Sequence, residues 1–268
     1  MTDPTQRWRE RRERWVPHRT PFVPSEFGVE ILARHADARA FVERHHYSGS
    51  WVAARLVIGL YRRVGCLRSH LAGVLAFSVP MQPAALAHHA GVAVATEGVE
   101  LGRLVLLDEV GYNGESWFVS RCLDALRQEL PLVRGVLSYS DPMPRVAGDG
   151  RIVTPGHVGV VYQALGAAYV GLGSPQTLHL DVDGRTIARR GLDKIRRQER
   201  GCDPAEARLV AAGADPRQPG EEPREWVARV LPSFARVRHP GNHAYVWRLD
   251  GERLASLPYP RHPKRRSE

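Results

Sequence analysis

Residues 99–130 read VELGRLVLLDEVGYNGESWFVSRCLDALRQEL, and this stretch decides the fold class. Its first part, 99–108, is an apolar run that suits a buried strand and carries Glu100 and Arg103. Gly111-Tyr112-Asn113-Gly114 is turn chemistry. In 115–130, Phe118, Leu123, Leu126 and Leu130 lie along one amphipathic helix. Strand, turn and helix in that order predict an α/β protein with one central sheet.

The flanking sequence extends the plan. Upstream, residues 29–45 carry Ile31, Leu32, Ala36, Ala40 and Phe41 at helical spacing, and 53–61 and 69–79 read as buried strands. A short helix is expected at 83–89. Downstream, 136–139 is a strand, 156–166 a helix, and 169–171 and 178–182 further strand. Residues 193–240 change character, being rich in Arg, Glu and Pro, with helical pieces at 204–212 and 223–230. A strand at 244–249 returns to the body. The organisation expected is a basic arm (1–25), a core (26–190), a C-terminal helical appendage (191–240), then a returning strand and basic tail (241–268).

Composition narrows the partners. The chain has 268 residues, 43% of them hydrophobic and 25% charged, which is ordinary globular usage. No run approaches the roughly 20 apolar residues of a membrane span, and the N-terminal residues lack a signal peptide's apolar core. No membrane partner and a cytoplasmic location are therefore expected. Cys66, Cys122 and Cys202 are far apart, without the pairing of a disulfide framework or a cysteine-rich zinc module. A net charge of +9 favours a polyanion such as double-stranded DNA. Lys occurs only at Lys194 and Lys264, so a GC-rich coding bias toward Arg accounts for the same surplus. Arg7, Arg11 and Arg12 interleave with Trp8 and Trp15 near the start, and Arg265 lies in the proline-bearing tail. These are candidate phosphate contacts, and a solvated helix docked by its tryptophans is the competing reading.

Four clusters can carry chemistry. His45-His46-Tyr47-Ser48-Gly49-Ser50 offers imidazoles as bases or ligands and a phenol to donate or stack, and a helix C-cap explains the same residues. Ser138-Tyr139-Ser140-Asp141 ends a strand, where α/β sheets gather ligands, and an Asp-Pro turn is the plainer alternative. Gly156-His157 to Tyr162 opens a helix whose amides can bind anions, with core packing of Tyr162 as the alternative. Gly111-Tyr112-Asn113-Gly114 leads into Glu115-Ser116-Trp117 as a pyrophosphate cradle would, without the Walker or GxGxxG pattern, and a plain strand-to-helix turn capped by Asn113 is the alternative.

Taken in order, HHYSG, ELGRLVLLDE, NGESWFVSR, SYSDP, GHVGVVYQA and AYVG resemble the Mom family of phage DNA-modification proteins over residues 29–171, with Pro258-Tyr259-Pro260 near the end. The resemblance implies a GNAT-like fold, a central mixed sheet flanked by helices. It implies conversion of adenine N6 in DNA to an acetamido (carbamoylmethyl) derivative that protects phage DNA from restriction. His46, Tyr47, Asp141 and Tyr162 fall on its catalytic positions. Arg103, Gly111, Asn113, Gly114, Ser116 and Ser120 would hold acetyl-CoA or a related donor, and His45, Ser48 and His157 would face substrate. His46, Asp141 and His157 also make a two-histidine, one-carboxylate set of the kind that binds Fe(II). The insertion at 143–154, between SYSDP and GHVG, departs from the family pattern. Two further classes stand beside this one: a GNAT-type acetyltransferase acting on a protein or small-molecule amine, and a non-catalytic DNA-binding protein.

Overall fold

The computed structural model describes residues 5–17, 20–64 and 68–261. Cys66, Lys264 and Arg265, singled out above, lie outside the described residues. The chain divides into two compact units, one of Met1–Pro142, Gly156–Gly173 and Asn242–Glu268, the other of Met143–Pro155 and Ser174–Gly241. The expected boundary after residue 190 falls inside the second unit, and the 143–154 insertion belongs with that unit.

The first unit is a mixed seven-stranded sheet with helices on both faces. Its elements in chain order are β1 (Thr5–Arg9), β2 (Arg12–Val16), β3 (Phe27–Ile31), α1 (Ala36–His45), β4 (Ala54–Val64), β5 (Arg68–Ser78), α2 (Pro83–Ala90), β6 (Gly98–Leu106), α3 (Gly114–Glu129) and β7 (Gly135–Ser140). After the excursion that begins at Met143 come α4 (Val160–Ala164) and β10 (Ala168–Leu172), and β13 (His243–Arg248) returns later. The sheet runs β10-β13-β7-β6-β5-β4-β3. Its pairs are antiparallel except β6 and β7, which run parallel.

One face carries α3 and α4 over Ile58, Leu75, Phe77, Leu101, Val136, Tyr245 and Trp247, with Phe118, Cys122 and Leu126 of α3 in the same cluster. On the other face, Ala38, Phe41 and Val42 of α1 and Trp8 of β1 cover Val57, Val74, Ala76 and Val105. There too, Leu86 and Ala90 of α2 cover Leu137, Ala244 and Val246. A buried aliphatic side chain is worth roughly 1.5–3 kcal/mol, so these two-sided clusters hold the layers together.

Three local expectations are corrected. Residues 29–31 are strand, not the start of a helix: Val29 and Ile31 alternate on β3, which pairs with β4, and the helix begins only at Ala36. The N-terminal residues form neither an extended arm nor a helix but the hairpin β1–β2, turned through Glu10 and Arg11, which both have positive φ. The helix expected over 156–166 is confined to α4, because Gly156 and Gly159 both take positive φ, outside the right-handed helix.

The second unit holds the short hairpin β8 (Arg145–Val146) and β9 (Ile152–Thr154), the ribbon β11 (Gln176–Leu180) with β12 (Ala235–His239), and α5 (Arg189–Arg197), α6 (Cys202–Ala211) and α7 (Pro223–Val230). Leu192, Ile195, Leu209, Trp226, Val227 and Phe234 close its own core. The expected helical appendage is thus helical with two small β elements added. Among the described residues no helix is long and apolar enough to cross a membrane.

Candidate active site

The site grows from the one parallel pair. β6 and β7 pair only from Gly98↔Gly135 to Glu100↔Leu137, after which β6 continues to Leu106 beside β5 alone. The carboxyl half of each strand therefore borders a gap in the sheet, the place where α/β sheets take ligands. Glu100 closes the β6–β7 ladder at the base of the gap, Arg103 follows on β6, and Ser138 and Tyr139 follow on β7.

From the α1 side come His46 and Tyr47. α1 ends at His45, and Gly49 (φ 55) turns the chain in a conformation that disfavours any side chain, with the Arg11 guanidinium carbon 2.7 Å from where a Cβ would stand. His46 is 7% exposed, and its Nδ1 accepts the Ser48 amide at 3.1 Å and meets the Ser48 hydroxyl at 2.9 Å. An amide can only donate, so Nδ1 is unprotonated and the neutral ring carries its hydrogen on Nε2. Burial pushes the imidazole well below its usual pKa, and Arg103 and His157 add to the effect. Tyr47 is half-buried, stacked on His46 at 4.3 Å and flanked by Trp8 at 5.1 Å. Arg103 donates to the Ser50 carbonyl and hydroxyl, each at 2.8 Å, which ties the loop after α1 to β6.

From the α3/α4 side comes Tyr162. Its ring is 5% exposed and sits 5.5 Å from both Tyr245 and Trp247. That packing excludes it as a stacking platform for a base, one of the roles expected for it. Burial raises its phenol, which stays protonated; the Ser138 hydroxyl is near enough to oppose this slightly without a hydrogen bond of regular geometry. Charge on Tyr47 would act on Tyr162, and charge on His157 acts on His46, so each pair lies within electrostatic reach. Asp141 follows β7, half-buried, and its carbonyl accepts the His157 amide at 2.8 Å.

Two residues at the site went unassigned in the sequence reading. Glu100 lies at the gap, where burial raises its pKa while the Met81 amide and Arg103 counter it. Tyr139 is pushed up to about 12 by burial and by Glu100. The Glu100-x-x-Arg103 spacing on one strand was the available signal.

Several expected contacts are used elsewhere. His45 accepts the Glu10 amide on Nδ1 at 3.0 Å and packs on Phe41 at 4.7 Å, so it holds the hairpin and does not face substrate. Arg7 is 1% exposed: it donates to Val110 O at 2.9 Å and Gly111 O at 2.8 Å and pairs with Glu115 at 2.9 Å. Arg11 donates twice to Glu43 O, at 2.9 and 2.8 Å. Neither reaches out for phosphate, whereas Arg12 is exposed.

The turn expected to cradle a pyrophosphate is filled by the protein itself. A Cβ on Gly111 would lie 2.6 Å from Pro21 O, and one on Gly114 would meet Val110 at 2.4 Å and Phe22 at 3.0 Å. The Tyr112 and Gly114 amides bond to Thr20 O and Gly111 O. Asn113 takes positive φ without a side-chain cap, Ser116 bonds back to Asn113 O at 3.0 Å, and Ser120 is exposed on α3. These residues do not fit the pyrophosphate of acetyl-CoA. Among the described residues no three His, Cys, Asp or Glu side chains gather to hold a metal ion, so the His46, Asp141 and His157 set does not form.

The sequence model of the Mom protein family matches residues 26–219, more than half of the chain. No curated protein sequence matches it.

Proposed function

The chain belongs to the Mom family, and from that premise we propose that it is a phage DNA-modifying enzyme that converts adenine N6 to its acetamido derivative at the gap between β6 and β7. The family match carries this reading, supported by the His46–Tyr47 stack and the Arg103 tie to the loop after α1, with His157 and Tyr162 within electrostatic reach of that pair. A mixed sheet flanked by helices supports the GNAT-like fold that the family resemblance implies.

The adenine leaves the duplex because its N6 amine is engaged in base pairing. N6 forms a bond to the methylene carbon of a small-molecule carbamoylmethyl donor, whose leaving group departs with the bonding pair. N6 gives up one proton, and Asp141 accepts it. His46 presents Nε2–H as a donor, so it orients and does not take the proton. Tyr47 and the protonated Tyr162 phenol donate hydrogen bonds, and Arg103 supplies a fixed positive charge for charge that develops in the transition state. The glycine turn does not suit the pyrophosphate of acetyl-CoA, and among the described residues no histidine–carboxylate group suits iron.

Mass spectrometry of nucleosides from plasmid DNA co-expressed with the protein tests this. A new adenosine species heavier by an acetamido group, absent with Asp141→Ala, is the expected result. Unmodified DNA from soluble wild-type protein would overturn the reading and favour acylation of another amine.

A further inference from the structure

One side chain on the rim of the gap has no part in the reaction described above. The connection from β5 to α2 reads Val79-Pro80-Met81-Gln82. Met81 is 79% exposed and Val79 49%. The segment is fixed at several points. Val79 donates its amide to Ala53 O at 2.9 Å, Pro80 is buried, and Met81 donates its amide to Glu100 Oε2 at 3.3 Å. Glu100, at the base of the gap, feels Arg103 and acts on Tyr139, so Met81 is held beside the site with its side chain in solvent.

An adenine that leaves a duplex opens a hole in the base stack. Proteins that unstack DNA insert apolar wedges between base steps, methionine among them, and such a side chain is also suited to the space a departing base leaves. An unbranched, polarizable thioether fits between base faces and carries no charge to desolvate there. Gln82, exposed and making no cap bond to α2, brings an amide donor and acceptor beside it for the base left unpaired. We propose that Met81 is the wedge that enters the duplex and occupies the place vacated by the target adenine. The proposal rests on the reading of duplex adenine as substrate.

Purified full-length protein titrated into a mixed-sequence duplex with 2-aminopurine in place of adenines tests this without a donor. Wild-type protein raises the fluorescence as the base unstacks. Met81→Ala removes most of that rise while duplex and single-strand affinity by anisotropy stay within about twofold, and Met81→Leu restores it. An equal rise with Met81→Ala, or none with wild type, overturns the wedge. Nucleosides from co-expressed plasmid separate the two ideas. Modified DNA with a fluorescence rise indifferent to Met81 sinks the wedge and leaves the function standing. Unmodified DNA with a Met81-dependent rise sinks the function and leaves the wedge.

Discussion

His46 is folded as a neutral imidazole, and that has a consequence for stability. Its pKa is held well below the usual value by burial, with the charges of Arg103 and His157 in support. Below a pH of about 6.5 the unfolded chain takes up a proton at this position that the folded chain refuses. More protons bound to the unfolded state means that stability falls as pH falls through this window, by at most about 1.4 kcal/mol per pH unit for one group. His45, His89, His179 and His243 are also lowered, so they lean the same way. His46→Asn keeps an acceptor near the Ser48 amide and removes the titration. Thermal melts at pH 5.5 and 7.5 should show a smaller acid loss for the variant than for wild type. An equal loss in both would mean that the ring is protonated in the folded protein, and the Nε2–H donor role would go with it.

The hairpin β1–β2 is a structural brace at the scale of elements. Arg7 holds the β6–α3 turn by two carbonyls and Glu115, while Trp8 flanks Tyr47. Arg7 is buried while Glu115 is 31% exposed, so the main loss is its charged hydrogen bonds to two carbonyls, about 1.5–3 kcal/mol each. Arg7→Ala should therefore shift the urea midpoint strongly, and Arg12→Ala, at an exposed hairpin position, by less than about 0.5 kcal/mol. If Arg7→Ala left stability intact and weakened DNA binding, a phosphate contact would be the better account. The hairpin also marks the limit of what the sequence reveals. Strand β6 and helix α3 were legible because apolar spacing and turn chemistry agree over 99–130. Arg7 reads as surface charge because nothing local says that two carbonyls 103 and 104 residues away await it. β3 was misread because Ile31 and Leu32 flow straight into the helical spacing of Ala36 and Ala40. At the site, His46, Tyr47, Asp141 and Tyr162 stood out as side-chain types at element ends. The tautomer of His46, the closure of the Gly111–Gly114 turn and the sealing of the Tyr162 ring depend on contacts distant in sequence.

The molecule as a whole leaves its main sheet twice and returns each time to a clasped pair of backbone groups. Before and after the first excursion, His157 donates its amide to Asp141 O at 2.8 Å; around the second, Gly173 donates to Asn242 O at 2.8 Å. Within the second unit the two excursions belong together, since Gly148 donates to Val182 O at 2.9 Å. Each unit also closes an apolar core of its own. The first unit should then fold without the second. Short Gly-Ser linkers of about two to four residues can replace 143–155 and 174–241, and shortening these connections lowers the entropy lost on closing them. β13 would still enter between β10 and β7 and bring Tyr245 and Trp247 to Tyr162. The expected product is a monodisperse chain with strand and helix signals in far-UV dichroism, a near-UV tryptophan band and one cooperative melt. Loss of the near-UV band with retained far-UV signal would mean that the sheet needs the second unit to pack its aromatic cluster. Retention of the band together with loss of plasmid modification would assign the second unit to substrate capture, because the groups named at the site all belong to the first.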